Sequence, residues 1–557
     1  MYLSYFFNLG GKSLMSRSIS IALAQLNWLV GDITGNAERM LYTLEEQRKA
    51  GADLVMFSEL ALSGYPPEDL IYRDDFYMLC KKQLDCLKEA SIGIAVLVGH
   101  PWREGENLYN ALSVFSEGQL IARYFKQHIP NYGVFDEKRY FSPGHDTCVV
   151  KLRGYNLGLL ICEDLWFHGP VNDAVIAGAE IILSINASPY NQEKSKIRDA
   201  LLIRHCKYTG LPLVYLNQIG GQDELIFDGS SKVLDALGNI THSLLSFAEQ
   251  TTLFKMHNMR VEPMINLTTP QSEVGQVYNA LVLAVHDYVI KNGFQGALIG
   301  LSGGIDSALT LAIAVDALGK DKVEAIMMPF HYTADISIAD ATEEAQILGV
   351  EFNIVPIHPI FDAFIKQISP LHLGSTECNS MEENLQARCR GVVLMALSNQ
   401  GGRIVLNTSN KSEIAVGYST LYGDMVGGFD VLKDVTKTMV FKLCEYRNTL
   451  SHVIPKRVLE RPPSAELSCN QLDQDSLPPY DILDAILEGY VEQDKSLANL
   501  VADGFEETVV HKIIRLVDMN EYKRRQAPIG PRITARSFSK DRRYPITSGF
   551  RHKIINR

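Results

Sequence analysis

The segment GLSGGIDS, residues 300–307, combines glycines, hydroxyls and one carboxylate where an apolar strand-like run gives way to an apolar helical stretch. Glycines let the backbone close around an anion, and a helix N-terminus supplies partial positive charge. The lysine of the Walker pattern G-x-x-x-x-G-K-[ST] is absent. The segment therefore predicts a phosphate-binding loop of another type, with an ordinary glycine-rich turn as the alternative.

Three further reactive side chains each follow an apolar run: Glu59, Lys126 and Cys162. A thiol needs a base to become a nucleophile, and the tetrahedral intermediate of acyl transfer needs a cation near its oxygen. These three side chains supply that set. Taken singly, each has an ordinary interpretation, because buried cysteines mostly pack and strand-end charges mostly face solvent.

The composition limits the classes of protein that the chain can belong to. At 557 residues it needs two to four domains. Nine cysteines without a C-x-x-C pair favour a reducing, cytoplasmic location, and no apolar run is long enough to span a membrane. The net charge of −12 argues against a general nucleic-acid binder. We expect a soluble protein, preceded by a loose extension over residues 1–15.

A basic tail is the exception to this acidic composition. From Lys523 onward it holds eleven Lys or Arg and one Asp, interleaved with prolines and aromatics. A basic tail can bind nucleic acid. Without a recognised nucleic-acid fold, a phosphate-rich substrate or a subunit contact is the better explanation.

Two patterns of secondary structure position these residues. Over residues 16–256, strands and helices alternate but include paired strands, which predicts an α+β sandwich. Residues 257–272 have no period and predict a linker. Residues 273–557 show a second alternation that predicts a doubly wound α/β domain, with a ligand site at the strand C-termini.

The first pattern resembles the nitrilase/amidase superfamily in FSELALSGYP, YFKQHIPNYGVFDEKRYF and GLLICEDLW. The resemblance implies a four-layer α-β-β-α sandwich. It makes Glu59 the general base, Lys126 the oxyanion stabiliser, Cys162 the nucleophile and Glu137 a supporting second glutamate. Residues at positions that hold glutamine in glutamine-specific members are Tyr132, Ser188 and Lys194.

The second pattern resembles the NAD synthetases, whose SGGxDS loop is of the ATP pyrophosphatase type. The resemblance implies ATP contacts at Gly300, Leu301, Ser302, Gly303, Gly304, Ile305, Asp306, Ser307, Thr408 and Lys437. It implies deamido-NAD contacts at Asn384, Arg388, Glu413, Tyr418, Ser419, Thr420, Leu421, Asp430 and Lys523. Asp306 and Glu413 are the predicted Mg²⁺ ligands, with substrate binding as the alternative role of Glu413. Leu421 departs from ammonia-using members, which carry a lysine there.

Together the two halves resemble the glutamine-dependent NAD synthetases. The implied reaction amidates deamido-NAD with ammonia from glutamine and converts ATP, as co-substrate with Mg²⁺, to AMP and pyrophosphate. Family members form homo-oligomers, so we expect one here. Two alternatives remain from the sequence: an amidotransferase with another carboxylate acceptor, and a non-catalytic scaffold in which the Cys162 region is only core.

Overall fold

The computed structural model describes residues 17–264, 271–371, 379–468, 471 and 473–550. Within these ranges no helix is both long and apolar enough to cross a membrane. The predicted N-terminal extension, residues 1–15, lies outside them.

The first unit contains fifteen strands and four helices within its described residues. In chain order these are β1 (Ser18–Gln25), α1 (Ile33–Lys49), β2 (Leu54–Met56), α2 (Asp74–Ala90), β3 (Ala95–Glu104), β4 (Asn107–Ser116), β5 (Gln119–Phe125), β6 (Val149–Leu152), β7 (Tyr155–Ile161), α3 (His168–Ile176), β8 (Ile181–Asn186), α4 (Lys194–Thr209), β9 (Leu213–Asn217), β10 (Ile219–Gln222), β11 (Leu225–Asp228), β12 (Lys232–Leu234), β13 (Ile240–Ser243), β14 (Gln250–His257) and β15 (Arg260–Val261).

Two sheets of this unit pack face to face. One has the order β15-β14-β1-β2-β3-β4-β5 and the other β13-β12-β9-β8-β7-β6. Alternation along β1 explains the layers, because Ile21 and Leu23 enter the core between the sheets whereas Ala22 and Ala24 pack with residues of α1 and α2. Helices α3 and α4 cover the second sheet. The predicted four-layer α-β-β-α sandwich is confirmed.

The end of this unit differs from the sequence prediction. The segment predicted as a linker begins with residues that still belong to the first sheet, since β14 pairs with β1 through His257 and β15 pairs with β14. Met256 is buried in the core between the sheets. The mixed polarity of this edge strand hides its period, because its exposed residues alternate with buried ones only over a few positions.

The second unit contains five strands and twelve helices within its described residues. They are α5 (Glu273–Lys291), β16 (Ala297–Gly300), α6 (Ile305–Leu318), β17 (Val323–Met327), α7 (Asp335–Leu348), β18 (Glu351–Ile354), α8 (His358–Ile368), α9 (Asn379–Gly401), β19 (Ile404–Asn407), α10 (Lys411–Val416), β20 (Phe429–Asp430), α11 (Lys437–Leu450), α12 (Lys456–Glu460), α13 (Tyr480–Leu487), α14 (Leu497–Ala502), α15 (Glu507–Met519) and α16 (Glu521–Arg524).

These strands form a parallel sheet of order β18-β17-β16-β19-β20. Ala297 and Ile299 of β16 pack on one face with α5, α6 and α11, and Leu298 packs on the opposite face with α8 and α9. Helices on both faces of a parallel sheet define the doubly wound fold predicted from the sequence. A satellite cluster of α13, α14 and α15 packs beside α10.

The two units share one hydrophobic core where α5 meets the hairpin β10–β11. Tyr190 and Ile226 of the first unit belong to the same buried cluster as Val277 and Leu281 of α5. The contact is further fixed by Asp287, whose carboxylate accepts hydrogen bonds from the Asn27 side chain and the Gly221 backbone N–H, each at 2.7 Å. Lys291, one turn later on α5, donates to the carbonyl of Gly221.

Candidate active sites

Cys162 lies at the turn that follows β7. It begins a short 3-10 turn, Cys162–Trp166, and its φ of 43° lies in the left-handed region that side chains rarely adopt. Asp164 fixes this turn, because its carboxylate accepts from the Tyr124 hydroxyl at 2.8 Å and from the His128 backbone N–H at 2.8 Å. The same carboxylate therefore ties the Cys162 turn to the loop that begins with Lys126.

Glu59, Lys126 and Glu137 form one buried ionic cluster. The Lys126 ammonium donates to Glu59 Oε1 at 2.7 Å and to the two oxygens of Glu137 at 2.9 and 3.0 Å. Asn110 donates its amide to Glu59 Oε1 at 2.8 Å, and the Tyr65 hydroxyl donates to Glu137 Oε1 at 2.8 Å. The structure thus brings together five residues that are spread over positions 59–137 of the sequence.

Burial and the charges of this cluster together raise the pKa of the Cys162 thiol. Burial raises the pKa of Cys162 well above its usual value, the Glu59 carboxylate raises it further, and Lys126 opposes them only in part. Burial alone would lower the pKa of Lys126, but the carboxylates of Glu137 and Glu59 outweigh it and raise that pKa. The lysine is therefore a permanent cation beside a thiol that needs a base.

The three residues predicted to hold glutamine gather around this thiol. Tyr132 donates to the Glu163 carboxylate at 2.9 Å, and both Tyr132 and Lys194 interact electrostatically with Cys162. The ammonium of Lys194 lies 4.0 Å from the Trp166 ring centroid, and burial lowers the pKa of this lysine. Ser188 is buried and follows Ala187, whose backbone N–H donates to Glu59 at 2.8 Å.

The GLSGGIDS loop is built as the sequence predicts, between the end of β16 and the start of α6. Hydroxyls close it internally: Ser307 Oγ lies 3.0 Å from Ser302 Oγ and donates to the carbonyl of Gly304 at 3.0 Å. At Gly303 φ is +80°, and a Cβ there would lie 2.2 Å from the backbone oxygen of Ser337. Only glycine fits this close approach of two backbones.

A cavity of about 410 Å³ opens at the C-terminal edge of the second unit's sheet. Within it, the Lys437 ammonium donates to Asp306 Oδ2 at 2.6 Å and to Glu413 Oε1 at 2.9 Å. Burial raises the pKa of Asp306 to about 6, Lys437 opposes the shift and Glu413 adds to it. Asn410, which sequence reasoning missed, caps α10 and donates to Asp306 at 3.1 Å.

The predicted ATP and deamido-NAD contacts fall into two groups, those that line this cavity and those that do not. The predicted residues that line it are Gly300, Leu301, Ser302, Gly304, Ile305, Asp306, Ser307, Asn384, Thr408, Glu413, Tyr418, Ser419, Thr420 and Lys437. Four other predicted deamido-NAD contacts do not line it: Arg388, Leu421, Asp430 and Lys523.

The side chains outside the cavity make other contacts. Arg388 donates to the carbonyl of Leu421 at 3.2 Å, and Lys523 donates to the carbonyls of Gly417 and Ser419 at 2.8 and 2.7 Å. Lys523 therefore holds the backbone of the segment that carries four of the predicted contacts, Tyr418, Ser419, Thr420 and Leu421. Asp430 is fully buried.

Two further residues that line the cavity were not among the predicted contacts. Arg390 lines the cavity and donates through Nε to the carbonyl of Met328 at 3.1 Å. Glu466 lines it too and accepts from the Ser337 hydroxyl at 2.6 Å. Asn384 and Arg388 are four residues apart and share a face of α9, whereas Arg390 lies on a different face, so helical spacing from Asn384 does not select it.

Metal binding by side chains alone finds no support in the part of the chain that the structure describes, where no group of three or more His, Cys, Asp or Glu residues could hold an ion. Asp306 and Glu413 are two carboxylates on opposite sides of one ammonium. Mg²⁺ usually takes one or two carboxylates together with substrate phosphates, so this pair fits Mg²⁺ only in company with a nucleotide.

Comparison with known proteins supports both units. Residues 20–264 match the carbon-nitrogen hydrolase family model, and residues 277–527 match the NAD synthase family model. A glutamine-dependent NAD(+) synthetase of Acinetobacter baylyi is 51% identical over 96% of this chain and 99% of its own, and that of Aquifex aeolicus is 40% identical over 96% and 100%. The structure of the Acinetobacter baumannii enzyme in complex with ADP superposes with a TM-score of 0.79 at 45% identity, covering 96% of this chain and 99% of that one.

Proposed function

Because the chain belongs to the glutamine-dependent NAD(+) synthetase family, which amidates deamido-NAD at the expense of ATP with nitrogen from glutamine, we propose how its residues divide that reaction. The Cys162 cluster releases ammonia from glutamine. The cavity beside the GLSGGIDS loop activates the carboxylate of deamido-NAD with ATP. The observation that carries this division is the buried Glu59–Lys126–Glu137 cluster beside a strained cysteine, in a different unit from the nucleotide cavity.

In the first unit Cys162 attacks the side-chain carbonyl carbon of glutamine. Glu59 accepts the thiol proton, since the raised pKa of Cys162 leaves the thiol protonated. Lys126 stabilises the negative oxygen of the tetrahedral intermediate, and Glu59 passes the proton to the departing ammonia. Water then attacks the thioester with Glu59 as base and releases glutamate.

Glu137 positions the lysine. Its two oxygens both accept from Lys126, and Tyr65 donates to it, so the ammonium keeps one orientation. Tyr132, Ser188 and Lys194 recognise the amino-acid end of glutamine, which matches their position around the thiol.

In the second unit the loop backbone and Lys437 bind the phosphates of ATP, and Thr408 contacts the nucleotide. The ADP complex of the Acinetobacter baumannii enzyme supports a nucleotide site in this fold. Asp306 and Glu413 would hold Mg²⁺, which neutralises phosphate charge when it binds. When the Lys437 ammonium leaves these two carboxylates, it can contact a phosphate of ATP instead.

Deamido-NAD fills the remainder of the cavity. Asn384, Tyr418, Ser419 and Thr420 line it, and the hydroxyl of Thr420 donates to Asn384 at 2.7 Å. Three of the other predicted contacts act from outside the cavity. Arg388 and Lys523 hold the backbone of residues 417–421, and Leu421 lies at the outer side of that segment.

Further properties follow the family resemblance. We propose that the protein forms a homo-oligomer and works in the cytoplasm. The cysteines that the structure describes are all unpaired, which agrees with a reducing compartment.

Replacement of the nucleophile tests whether the first unit releases ammonia while the second unit forms NAD. We expect Cys162→Ala to lower glutamine-driven NAD formation by about 10³-fold or more, because no other nucleophile lies in the cluster. Ammonia-driven NAD formation should remain near the parent rate. Both rates are measured as NAD and AMP formed from deamido-NAD and ATP.

Cys148→Ala serves as the matched control, since Cys148 is a half-buried cysteine of the same unit outside the cluster. It should change neither rate. A folded Cys162→Ala protein that has lost both activities would show that the two units do not divide the reaction in this way.

A further inference from the structure

The turn that carries Cys162 is strained and therefore needs support from the residues around it. Cys162 is buried, and its φ of 43° lies in the left-handed region. A side chain keeps such a backbone conformation only where the surrounding contacts hold the chain firmly. Asp164 supplies contacts on one side of the turn, where its carboxylate accepts from the backbone N–H groups of Gln127 and His128 at 3.0 and 2.8 Å. The other side of the turn needs a second support.

That second support comes from α4. The carbonyl oxygen of Leu165, within the same turn, lies 2.6 Å from Nε2 of His205 on α4. Because a carbonyl oxygen can only accept, the imidazole donates this hydrogen bond from Nε2. Leu165 is 0% exposed and His205 is 1% exposed, so bulk water does not compete for it. The hydrogen bond therefore joins the nucleophile turn to α4 inside the core.

His205 occupies the buried face of α4 among apolar side chains. Leu201, Leu202 and Cys206 share this face with it and belong to the same core cluster as Leu165. An apolar residue at this position would bring no polar group into the core that has to be satisfied. A buried histidine must make a hydrogen bond, and the imidazole of His205 makes one with the turn of the nucleophile.

The imidazole of His205 is neutral, which suits a donor that must not bring charge into the core. Burial lowers the pKa of His205, the carbonyl of Leu165 opposes this shift, and the charges of His168 and Arg204 lower the pKa further. Among the described residues, Nδ1 of His205 has no hydrogen-bond partner. The single ring hydrogen is therefore on Nε2, where the carbonyl of Leu165 accepts it.

The carbonyl of Leu165 belongs to the peptide group that leads to Trp166. The ammonium of Lys194, the first residue of α4, lies 4.0 Å from the Trp166 ring centroid. Rotation of this peptide group would move Trp166 away from Lys194 and would let Cys162 relax toward an ordinary backbone conformation. Helix α4 therefore contacts the nucleophile turn twice, through Lys194 at its start and through His205 near its end.

We propose that His205 is a positioning residue of the glutaminase site, which holds the Cys162 thiol in place for attack on glutamine through its hydrogen bond to Leu165. The imidazole acts through the turn and exchanges no proton with the substrate, because its one hydrogen is bound to the carbonyl of Leu165. The inference rests on the proposed function, in which Cys162 is the nucleophile. It adds a residue of α4 to a site whose other reactive groups follow strands.

His205→Leu tests the inference, because it removes the donor and keeps an apolar side chain in the core. We expect kcat for glutamate release from glutamine to fall by about tenfold or more, since a small displacement of a reacting atom is costly. The KM for glutamine should stay within about threefold of the parent, and ammonia-driven NAD formation should keep the parental rate. Glutamate, NAD and AMP are measured with each nitrogen source.

His205→Gln provides the rescue, since its side-chain amide can donate to the same carbonyl. It should restore kcat to within about threefold of the parent. His168→Leu is the matched control, because it removes the exposed neighbouring ring, whose centroid lies 5.6 Å from that of His205, and keeps the hydrogen bond. It should leave kcat unchanged.

Parental glutamine hydrolysis in His205→Leu, or a His205→Gln variant as slow as His205→Leu, would overturn the inference. An equal loss of glutamine-driven and ammonia-driven synthesis would also overturn it, because it would show that His205 only supports the fold. Failure of the proposed function would appear differently, as glutamine-driven synthesis that persists in Cys162→Ala.

Discussion

The side chain of Lys126 is held in place by burial and by two ion pairs in the glutaminase cluster. It is 1% exposed and its ammonium meets both Glu59 and Glu137. Two carboxylates meet one ammonium in the cluster, and their charges add to the effect of burial in raising the pKa of Cys162. We therefore expect the lysine to stabilise the folded cluster in addition to its proposed role at the oxyanion.

We expect Lys126→Met to lower glutamine hydrolysis by about 100-fold or more, the scale for loss of one oxyanion donor. It should also lower the free energy of unfolding by about 3–5 kcal/mol, because two buried carboxylates lose their cation. Burial already raises the pKa of Glu137 in the parent while the charge of Lys126 lowers it, so loss of that charge raises this pKa further and the folded variant binds more protons than the folded parent. Its loss of stability relative to the parent should then be smaller at pH 5 than at pH 8.

Glutamine hydrolysis and thermal unfolding at the two pH values measure these effects. Lys138→Met, which removes an exposed lysine from the same loop, is the control. Hydrolysis within about twofold of the parent would remove Lys126 from the reaction.

At this scale the sequence singled out Glu59, Lys126 and Cys162 because each follows an apolar run, and the resemblance to the nitrilase/amidase superfamily supplied their roles. Asn110 and Tyr65 could not be predicted in the same way. Asn110 lies inside β4 and Tyr65 lies in a loop, and either would suit a purely structural role. Their hydrogen bonds to Glu59 and Glu137 appear only once the strands are assembled.

Among the elements, the turn from β16 to α6 combines a left-handed backbone with a close approach to α7. We expect Gly303→Ala to raise the KM for ATP by about tenfold or more, because the added Cβ must push the loop away from Ser337. Pyrophosphate release with either nitrogen source should fall, and glutamine hydrolysis should stay unchanged.

Gly319→Ala is a closely matched control for this prediction. Gly319 ends the same helix with φ of +81°, but a Cβ there meets nothing within 4 Å. Both variants bear backbone strain of about 1–3 kcal/mol at a positive φ, and only Gly303→Ala adds the clash. Equal effects of the two variants on the KM for ATP would show that the close approach to Ser337 does not matter.

The long apolar elements can be predicted from the sequence, because burial on one or both faces gives them a clear period. Examples are α5, β17 and β9. The hairpin β10–β11 was missed since its glycines and polar turn read as a loop, although most of its residues are buried against α5. Strands β14 and β20 were missed because an edge strand of mixed polarity, or one of two residues, has too little pattern to detect.

At the scale of the whole molecule, the contact of α5 with the first unit links the stability of the two units. Burial alone would raise the pKa of Asp287, but hydrogen bonds from His286, the charge of Lys291 and the donors on Gly221 and Asn27 lower it. Asp287→Ala should therefore lower the free energy of unfolding by about 3 kcal/mol at pH 7. The difference should shrink as the pH falls through the lowered pKa, since the carboxylate then loses its charge in the parent as well.

Scanning calorimetry is the measurement, and we expect one transition for the parent because the units share a core. Glu273→Ala removes an exposed carboxylate of the same helix, whose pair with Lys196 lies at the surface, and should change stability by less than about 1 kcal/mol. Two well-separated transitions in the parent would contradict a common core.

The same shared core makes the fusion of the two catalytic units hard to undo. A gene cut at the linker would give two chains, one exposing Tyr190 and Ile226 and the other exposing Val277 and Leu281. Each product would expose an apolar patch to solvent, and such patches promote self-association. For the two units to function as separate chains, polar residues would first have to replace the apolar ones on both sides of that contact. The two activities are therefore inherited together.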